Sequence, residues 1–358
     1  MENKKNISVS VILPVYNSGK IVEKAIQSVF QQTLKNIELI LVDDGSDIET
    51  KKILDSIDHN LVRLIRKKNG GVSSARNVGI REARGEYIFF LDSDDYIDDD
   101  FLKKMYDEAV KNDLDLVCGN VVEHNSTRID SRNNKGKKIE NFISSDDNDI
   151  GKNLDLLRLW SSCGKLFKRK NIIEANISFD ETMELGEDLY FTYGYLLDFS
   201  KLGFIGDSNY HIENINDSSL SKKHAKNIVN SLEKQVDLWE TLEKKRPVLL
   251  KWYYKTHVDF RFYQVTLFVD NLYKKGSNMK KMQRLEKLED FLNNHEKWIE
   301  ISDKHKYPKN LKDKVLYKII SRRNNQRILC IFYLKEELRK LKFNTGNVKK
   351  WGAKWIIR

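Results

Sequence analysis

Cysteine is scarce in this 358-residue chain: only Cys118, Cys163 and Cys330 occur. They form no CxxC pair and no even framework, which argues against a disulfide-stapled or dithiol redox scaffold. Buried free thiols fit a reducing cytoplasm better. Long apolar runs are missing too; none approaches the roughly 20 residues needed to span a bilayer. The start, Met1-Glu2-Asn3-Lys4-Lys5-Asn6, has no signal-peptide apolar core, so the expectation is a cytoplasmic protein without a membrane span. There is no internal repeat, no recognised nucleic-acid module and no Gly-rich triphosphate loop after the first strand-like run.

What is present is a soluble-type composition, 40% hydrophobic and 32% charged, long enough for more than one domain. The net charge of +10 hides an asymmetry. Residues 1–220 carry 29 Lys/Arg against 38 Asp/Glu, and residues 221–358 carry 34 against 15. An acidic half suited to a metal and a basic half facing an anionic partner are expected to do different jobs.

Along the first hundred residues strand-like and helix-like runs alternate. Val9–Leu13, Ile37–Val42, Val62–Ile65 and Tyr87–Leu91 read as strands. Helical spacing fills the intervals from Ile21, from Ile48 and over Ser73–Ala83. This is the pattern of βαβ units around a mainly parallel sheet, where ligands bind beyond the carboxyl ends of the strands. Three of those ends carry unusual residues: Pro14-Val15-Tyr16, Asp43-Asp44-Gly45-Ser46 and Asp92-Ser93-Asp94-Asp95. The last sets three carboxylates in four residues after a buried run. Crowded carboxylates resist ionisation unless a cation or hydrogen-bond donors compensate. Taken alone, the segment reads equally as a divalent-metal site or as an Asp-rich cap on the helix near Phe101–Val110.

Further on, Leu114–Val122 reads as a strand, Glu123–Asp149 as a polar excursion, Leu154–Trp160 as a helix and Lys165–Phe167 as a short strand. Gly186–Phe199 reads as a helix opening on Glu187-Asp188. After Ser221 only helical spacing remains, as in Val229, Leu232, Val236, Trp239 and Leu242. The expected division is a catalytic domain over 1–220, with halves of about 1–105 and 106–220, and a basic helical region over 221–358.

Five motifs in order, Val11-Ile12-Leu13-Pro14-Val15-Tyr16-Asn17, Val42-Asp43-Asp44-Gly45-Ser46, Asn69-Gly70-Gly71-Val72-Ser73-Ser74-Ala75-Arg76-Asn77, Asp92-Ser93-Asp94-Asp95 and Glu187-Asp188, resemble family 2 glycosyltransferases of the GT-A fold. The resemblance covers roughly residues 7–220. It implies a Rossmann-like α/β sheet, mixed but mainly parallel and flanked by helices. It further implies an inverting, Mn²⁺- or Mg²⁺-dependent transfer of a sugar from a nucleotide-sugar donor to a hydroxyl.

On that resemblance Pro14, Tyr16 and Asp44 hold the uracil of a UDP-sugar. Asn69, Gly71, Arg76, Asp92 and Ser93 lie on the donor, and Asp94 takes the metal. Asp188 is the general base, a role that a carboxylate with fixed geometry can fill. Asp95 is left to cap the following helix. Some relatives place a metal-binding histidine near His211. Glu187, Trp160 and Lys165 are assigned to the acceptor side, and Asp217-Ser218-Ser219-Leu220-Ser221 resembles the family's serine-bearing loop. The chain lacks the arginine many relatives carry near Glu213.

The basic region matches no family motif. Ile328, Ile331, Leu334, Leu338 and Leu341 share one helical face among Arg322, Arg323, Arg327, Lys335, Arg339 and Lys340, and tryptophans sit beside cations at Lys349-Lys350-Trp351 and Lys354-Trp355. Such a segment suits an anionic membrane surface or packs on the core or a second subunit of a homo-oligomer. Together these features point to a glycan or lipid-linked envelope precursor of surface-polysaccharide or teichoic-acid type as acceptor, met at the inner face of the plasma membrane. The rival readings are a sugar nucleotidyltransferase, a donor-binding scaffold without activity, and a non-enzymatic protein that binds anionic polymers; nucleic acid is not expected.

Overall fold

The computed structural model describes residues 7–125, 128–130, 140–213, 223–256, 260–274, 276–298, 318–320 and 322–344. The loop at Asp217–Ser221 and the tryptophans of the last ten residues lie outside this set. The chain forms two compact units, one of 1–217 with 233–253 and the other of 218–232 with 254–358.

The first unit is built on one large sheet. β1 (Val9–Val15), β2 (Ile37–Asp43), β3 (Val62–Arg66) and β4 (Tyr87–Phe90) alternate with α1 (Ile21–Phe30), α2 (Ile48–Asp55) and α3 (Val72–Glu82). These four strands are parallel, in the order β3-β2-β1-β4. β1 and β2 are buried at every position, as expected for strands covered on both faces. Pro14 is therefore not at a loop mouth: it lies inside β1, opposite Val42, and the strand ends at Val15. Helix α3 packs closely on this sheet because Gly79 has no side chain; a Cβ there would lie 2.3 Å from Ile12 Cγ2.

Beyond β4 the sheet becomes mixed. β5 (Tyr96–Ile97) and α4 (Phe101–Lys111) lead to β6 (Leu116–Asn125) and β7 (Arg128–Asp130). β8 (Phe142–Ser144), α5 (Asp147–Lys152), α6 (Leu154–Leu157), β9 (Lys165–Lys168), α7 (Arg169–Glu174), α8 (Glu187–Leu196) and β10 (Leu202–Glu213) follow. The spatial order continues β4-β9-β6-β10-β5, with β7 on β6 and β8 on β10. β9 is a central strand, antiparallel to both β4 and β6, with Leu166 and Phe167 fully buried. The helix expected over Leu154–Trp160 stops at Leu157, because Arg158 turns left-handed at φ 45°. The polar excursion is also partly strand, since β6 runs on to Asn125 and β8 pairs with β10.

This unit also takes in a helical segment beyond residue 220. α9 (Ile228–Lys245) and α10 (Pro247–Thr256) follow the sheet, and residues from Glu233 to Tyr253 belong to the first unit. Trp239 packs on Tyr193 of α8 at 4.8 Å, and Arg246 Nη1 donates to the Leu196 carbonyl at 2.7 Å.

The second unit is helical in its described part. α11 (Phe260–Asn271), α12 (Lys281–Asn294), a single 3₁₀ turn at Glu296–Trp298 and α13 (Asn325–Asn344) compose it. Phe268 and Phe291 stack at 3.8 Å, and Tyr273 Oη donates to the Leu329 carbonyl at 2.8 Å. Among the described side chains of α13, Ile328, Leu329 and Phe332 are buried, whereas Leu334, expected on the apolar face, is 51% exposed. Leu329 and Phe332 turn that face by part of a helical turn, so that 328, 329 and 332 share it. No helix among the described residues is long and apolar enough to cross a membrane.

Candidate active site

The carboxyl ends of β1, β2 and β4 converge. Asp44 follows β2 and is 3% exposed. Its Oδ1 accepts from Gly70 N at 2.9 Å and Lys67 Nζ at 2.6 Å, and its Oδ2 from Gly71 N at 2.8 Å. Asn69-Gly70-Gly71 is thereby folded over the β2 end. Gly45 makes this approach possible: at φ +78°, a Cβ there would meet Asn69 N at 2.9 Å. Gly71, at φ 88°, then starts α3. Tyr16, directly after β1, presents a ring that is 54% exposed, while Asn69 is exposed and makes no polar side-chain contact among the described residues. Ser93 Oγ meets Ser18 Oγ at 2.8 Å, joining the β4 and β1 loops.

Arg76 is the centre of the second cluster. One turn into α3 it is 3% exposed, yet it carries a full charge. Nη2 donates to Asp92 Oδ1 at 2.8 Å and Nη1 to Asp188 Oδ1 at 2.6 Å, with Glu187 Oε1 4.0 Å away. Burial alone would lower its pKa, but Asp188 and Asp92 outweigh burial and hold it well above the ordinary value. Arg76 thus ties the carboxylate at the end of β4 to the carboxylate at the start of α8, 96 positions later in the chain. Its Nε is buried and has no partner among the described residues. Neighbouring Asn77 donates to the Phe179 carbonyl and Glu181 Oε1, both at 2.9 Å, and accepts from Phe179 N at 2.8 Å. The motif Arg76-Asn77 therefore fixes the approach to α8 as well as its first turn.

Asp92-Ser93-Asp94-Asp95 divides by environment. Asp95 is not a helix cap. It is buried, accepts from Tyr210 Oη at 2.6 Å and from Glu213 N at 3.1 Å, and α4 instead starts at Asp100 with no side-chain cap. Burial, then the charge of Asp92, pushes the Asp95 carboxyl up to about 8. Asp94 faces outward; burial of its carboxyl and the charge of Asp92 raise its pKa as well. Burial and then mutual repulsion oppose the ionisation of these carboxyls, and a dication relieves both. No group of three or more His, Cys, Asp or Glu among the described residues could hold a metal. Asp94 and Asp92 would therefore supply one or two ligands, and water and phosphate oxygens the rest, a division common for Mg²⁺.

His211 has partners of its own. Its Nε2 meets Asp98 Oδ1 at 2.8 Å and its Nδ1 meets His124 Nε2 at 2.8 Å, with Tyr96 stacked at 4.4 Å. Both ring nitrogens are thus engaged by neighbours other than Asp94. Glu213 pairs with Lys24, which also lies 3.5 Å from the Tyr96 ring centre.

On the far side, Glu187-Asp188 opens α8 after Gly186, which is at φ 77°. Burial and the Asp188 charge raise the Glu187 carboxyl. Trp160 is 44% exposed on the segment after α6, with the Arg158 guanidinium 5.4 Å from its ring. Lys165 is buried on β9 and binds the carbonyls of Arg158 at 2.9 Å and Cys163 at 3.4 Å; burial lowers its pKa. Residues that sequence patterns did not single out complete the site. Ser162 bonds Asp188, Tyr210 anchors Asp95, and Gln235 of α9 donates to the Leu185 carbonyl at 2.9 Å, just before Gly186. Lys234, beside it, pairs with Asp180. Only long-range folding brings these together, so no local signal marked them.

A parallel α/β sheet with a carboxylate cluster at its strand ends, continued by a mixed half that carries a second carboxylate on a helix, defines the GT-A class of fold. The fold of Staphylococcus aureus TarS 1–349 in complex with UDP-GlcNAc is similar, with a TM-score of 0.63 over 97% of this chain and 94% of that one, at 18% identity. Residues 10–172 match glycosyl transferase family 2. The chain is 34% identical over 183 residues to the uncharacterized glycosyltransferase EpsJ of Bacillus subtilis, covering 50% of this chain and 53% of EpsJ. It is 33% identical over 215 residues to the poly(ribitol-phosphate) β-N-acetylglucosaminyltransferase TarP of S. aureus, covering 57% of this chain and 62% of TarP. The chain thus spans less than two thirds of either relative.

Proposed function

We propose that this chain is an inverting, divalent-cation-dependent glycosyltransferase. It would move a sugar from a UDP-sugar to a hydroxyl of an anionic envelope polymer or its lipid-linked precursor. The observation that carries this reading is the Asp92–Arg76–Asp188 bridge, in which one buried guanidinium holds a donor-side and an acceptor-side carboxylate in a single cluster.

In this reading Tyr16 stacks on the base, and Asp44 accepts the imide N–H. Each carboxylate oxygen has two acceptor sites, so Asp44 Oδ2, which among the described residues takes Gly71 N alone, has room for one more. Asp94, with Asp92, would hold a Mn²⁺ or Mg²⁺ that neutralises charge on the departing diphosphate. Asp188 takes the acceptor's hydroxyl proton as that oxygen attacks the anomeric carbon. The bond from that carbon to the diphosphate breaks and UDP leaves. One displacement inverts the centre. Trp160 offers a face to the acceptor, and the positive surplus of residues 221–358 suits a polyanion. The poly(ribitol-phosphate) named for TarP is an acceptor of that chemistry.

Calorimetric titration of UDP tests the donor site. Affinity is expected with Mn²⁺, and it should fall at least tenfold with excess chelator or in Asp94→Asn. Equal affinity under all three conditions would remove the cation from the account.

A further inference from the structure

Ser162 belongs to no sequence motif, yet it is fully buried beside the first turn of α8. Its Oγ donates to Asp188 Oδ1 at 2.9 Å. The same oxygen receives Arg76 Nη1 at 2.6 Å. Oδ2 accepts no hydrogen bond among the described residues. Rotation about the last bond of an aspartate is soft and roughly two-fold, so a carboxylate held by one donor swaps its oxygens readily. Two donors converging on one oxygen remove that freedom.

The segment that carries Ser162 is itself fastened. Arg158 in its left-handed turn closes α6. The buried Lys165 amine then grips the carbonyls of Arg158 and Cys163, on either side of Ser162. Thr192, one helical turn after Asp188 and on the same face of α8, donates to the Ser161 carbonyl at 3.3 Å. α8 therefore holds the segment at two successive residues, Ser161 and Ser162, from two successive turns. A serine that merely satisfied its own hydroxyl would not need this register.

We infer that Ser162 is a positioning residue for Asp188. With Arg76 it occupies Oδ1, so that Oδ2 is left as the atom that takes the acceptor proton. This rests on the reading of Asp188 as the base. The charged or titratable groups that face Asp188 are Arg76, Glu187, Cys163 and Lys165. A neutral substitution at Ser162 leaves all of them in place and isolates the hydroxyl.

The test is a ¹³C carboxyl titration of the full chain labelled at aspartate, with the Asp188 signal assigned by its loss in Asp188→Asn. Ser162→Ala is expected to raise the Asp188 midpoint by about one pH unit, since a hydrogen bond to a charged group is worth about a factor of ten or more. Ser162→Thr keeps the wild-type midpoint, and Ser162→Cys, of similar volume but a weak donor, falls between. In turnover of the nucleotide sugar that the wild type uses, Ser162→Ala should lower kcat about tenfold, leave the donor KM unchanged and move the acid limb up by the same pH interval. An unmoved midpoint in Ser162→Ala, or Thr behaving as Ala, overturns the role of Ser162 alone. Wild-type transfer by Asp188→Asn overturns the base reading and this role with it.

Discussion

Replacing Arg76 by methionine tests whether the site is held together by one buried cation. Methionine approximates the stem of arginine and removes the guanidinium. Asp188 and Asp92 then lose their short charge-assisted bonds of 2.6 and 2.8 Å, each of a kind worth roughly 1.5–3 kcal/mol. The two losses do not count equally. The Asp188 side chain is 22% exposed and that of Asp92 36%, so water recovers much of the second. Stranding the half-buried Asp188 carboxylate beside Glu187 dominates, and with the loss of the buried guanidinium the whole change is expected to cost about 3–5 kcal/mol. That is a large part of the ~5–15 kcal/mol that typically separates folded from unfolded chains. Urea unfolding followed by tryptophan fluorescence, to which the buried Trp239 contributes, would read it as a lower midpoint. Adding Asp188→Asn to Arg76→Met removes the stranded charge, so the double variant should be more stable than the sum of the two single losses by ~1–3 kcal/mol. A loss below about 1 kcal/mol in Arg76→Met, or strict additivity in the cycle, would refute the argument.

Two further predictions concern the frame of the site. Gly79→Ala pushes a methyl into Ile12, which is fully buried, and overpacking of this kind costs about 1–3 kcal/mol; a thermal melt unchanged from wild type would contradict the close packing of α3 on β1. His124 has its pKa lowered by burial and then by His211, so the unfolded chain binds that proton more readily than the folded one. Its contribution is therefore complete above the unfolded value of about 6.5 and is lost as pH falls below it. The melting-temperature gap between wild type and His124→Gln should narrow from pH 7.5 to pH 5, and a gap that widens would reverse the sign of the argument.

Much of the frame was legible because it is local. The βαβ alternation, the helix opening at Glu187 and the unusual strand ends at Asp44 and Asp92 are patterns of neighbouring residues, and the sheet places them as the periodicity implies. What was not legible depends on distant partners. Asp95 has the sequence context of a helix cap, but Tyr210 Oη, 115 positions away, draws it inward. Lys165-Leu166-Phe167 is too short to reveal that it inserts antiparallel between β4 and β6. His211 is a lone histidine until the fold sets His124 and Asp98 against its two nitrogens. Ser162 carries no motif, and only the close approach of its segment to α8 gives it a partner.

The central claim is that Asp188, fixed by Arg76 and Ser162, is the base of a sugar transfer whose donor sits at the other strand ends. Transfer measured as UDP release in Asp188→Asn, with a panel of UDP-sugars, Mn²⁺ and a polyol-phosphate acceptor, tests it most directly. The account predicts that the variant binds UDP as the wild type does, while transfer falls by about 10²-fold or more. Wild-type transfer rates in Asp188→Asn would contradict it.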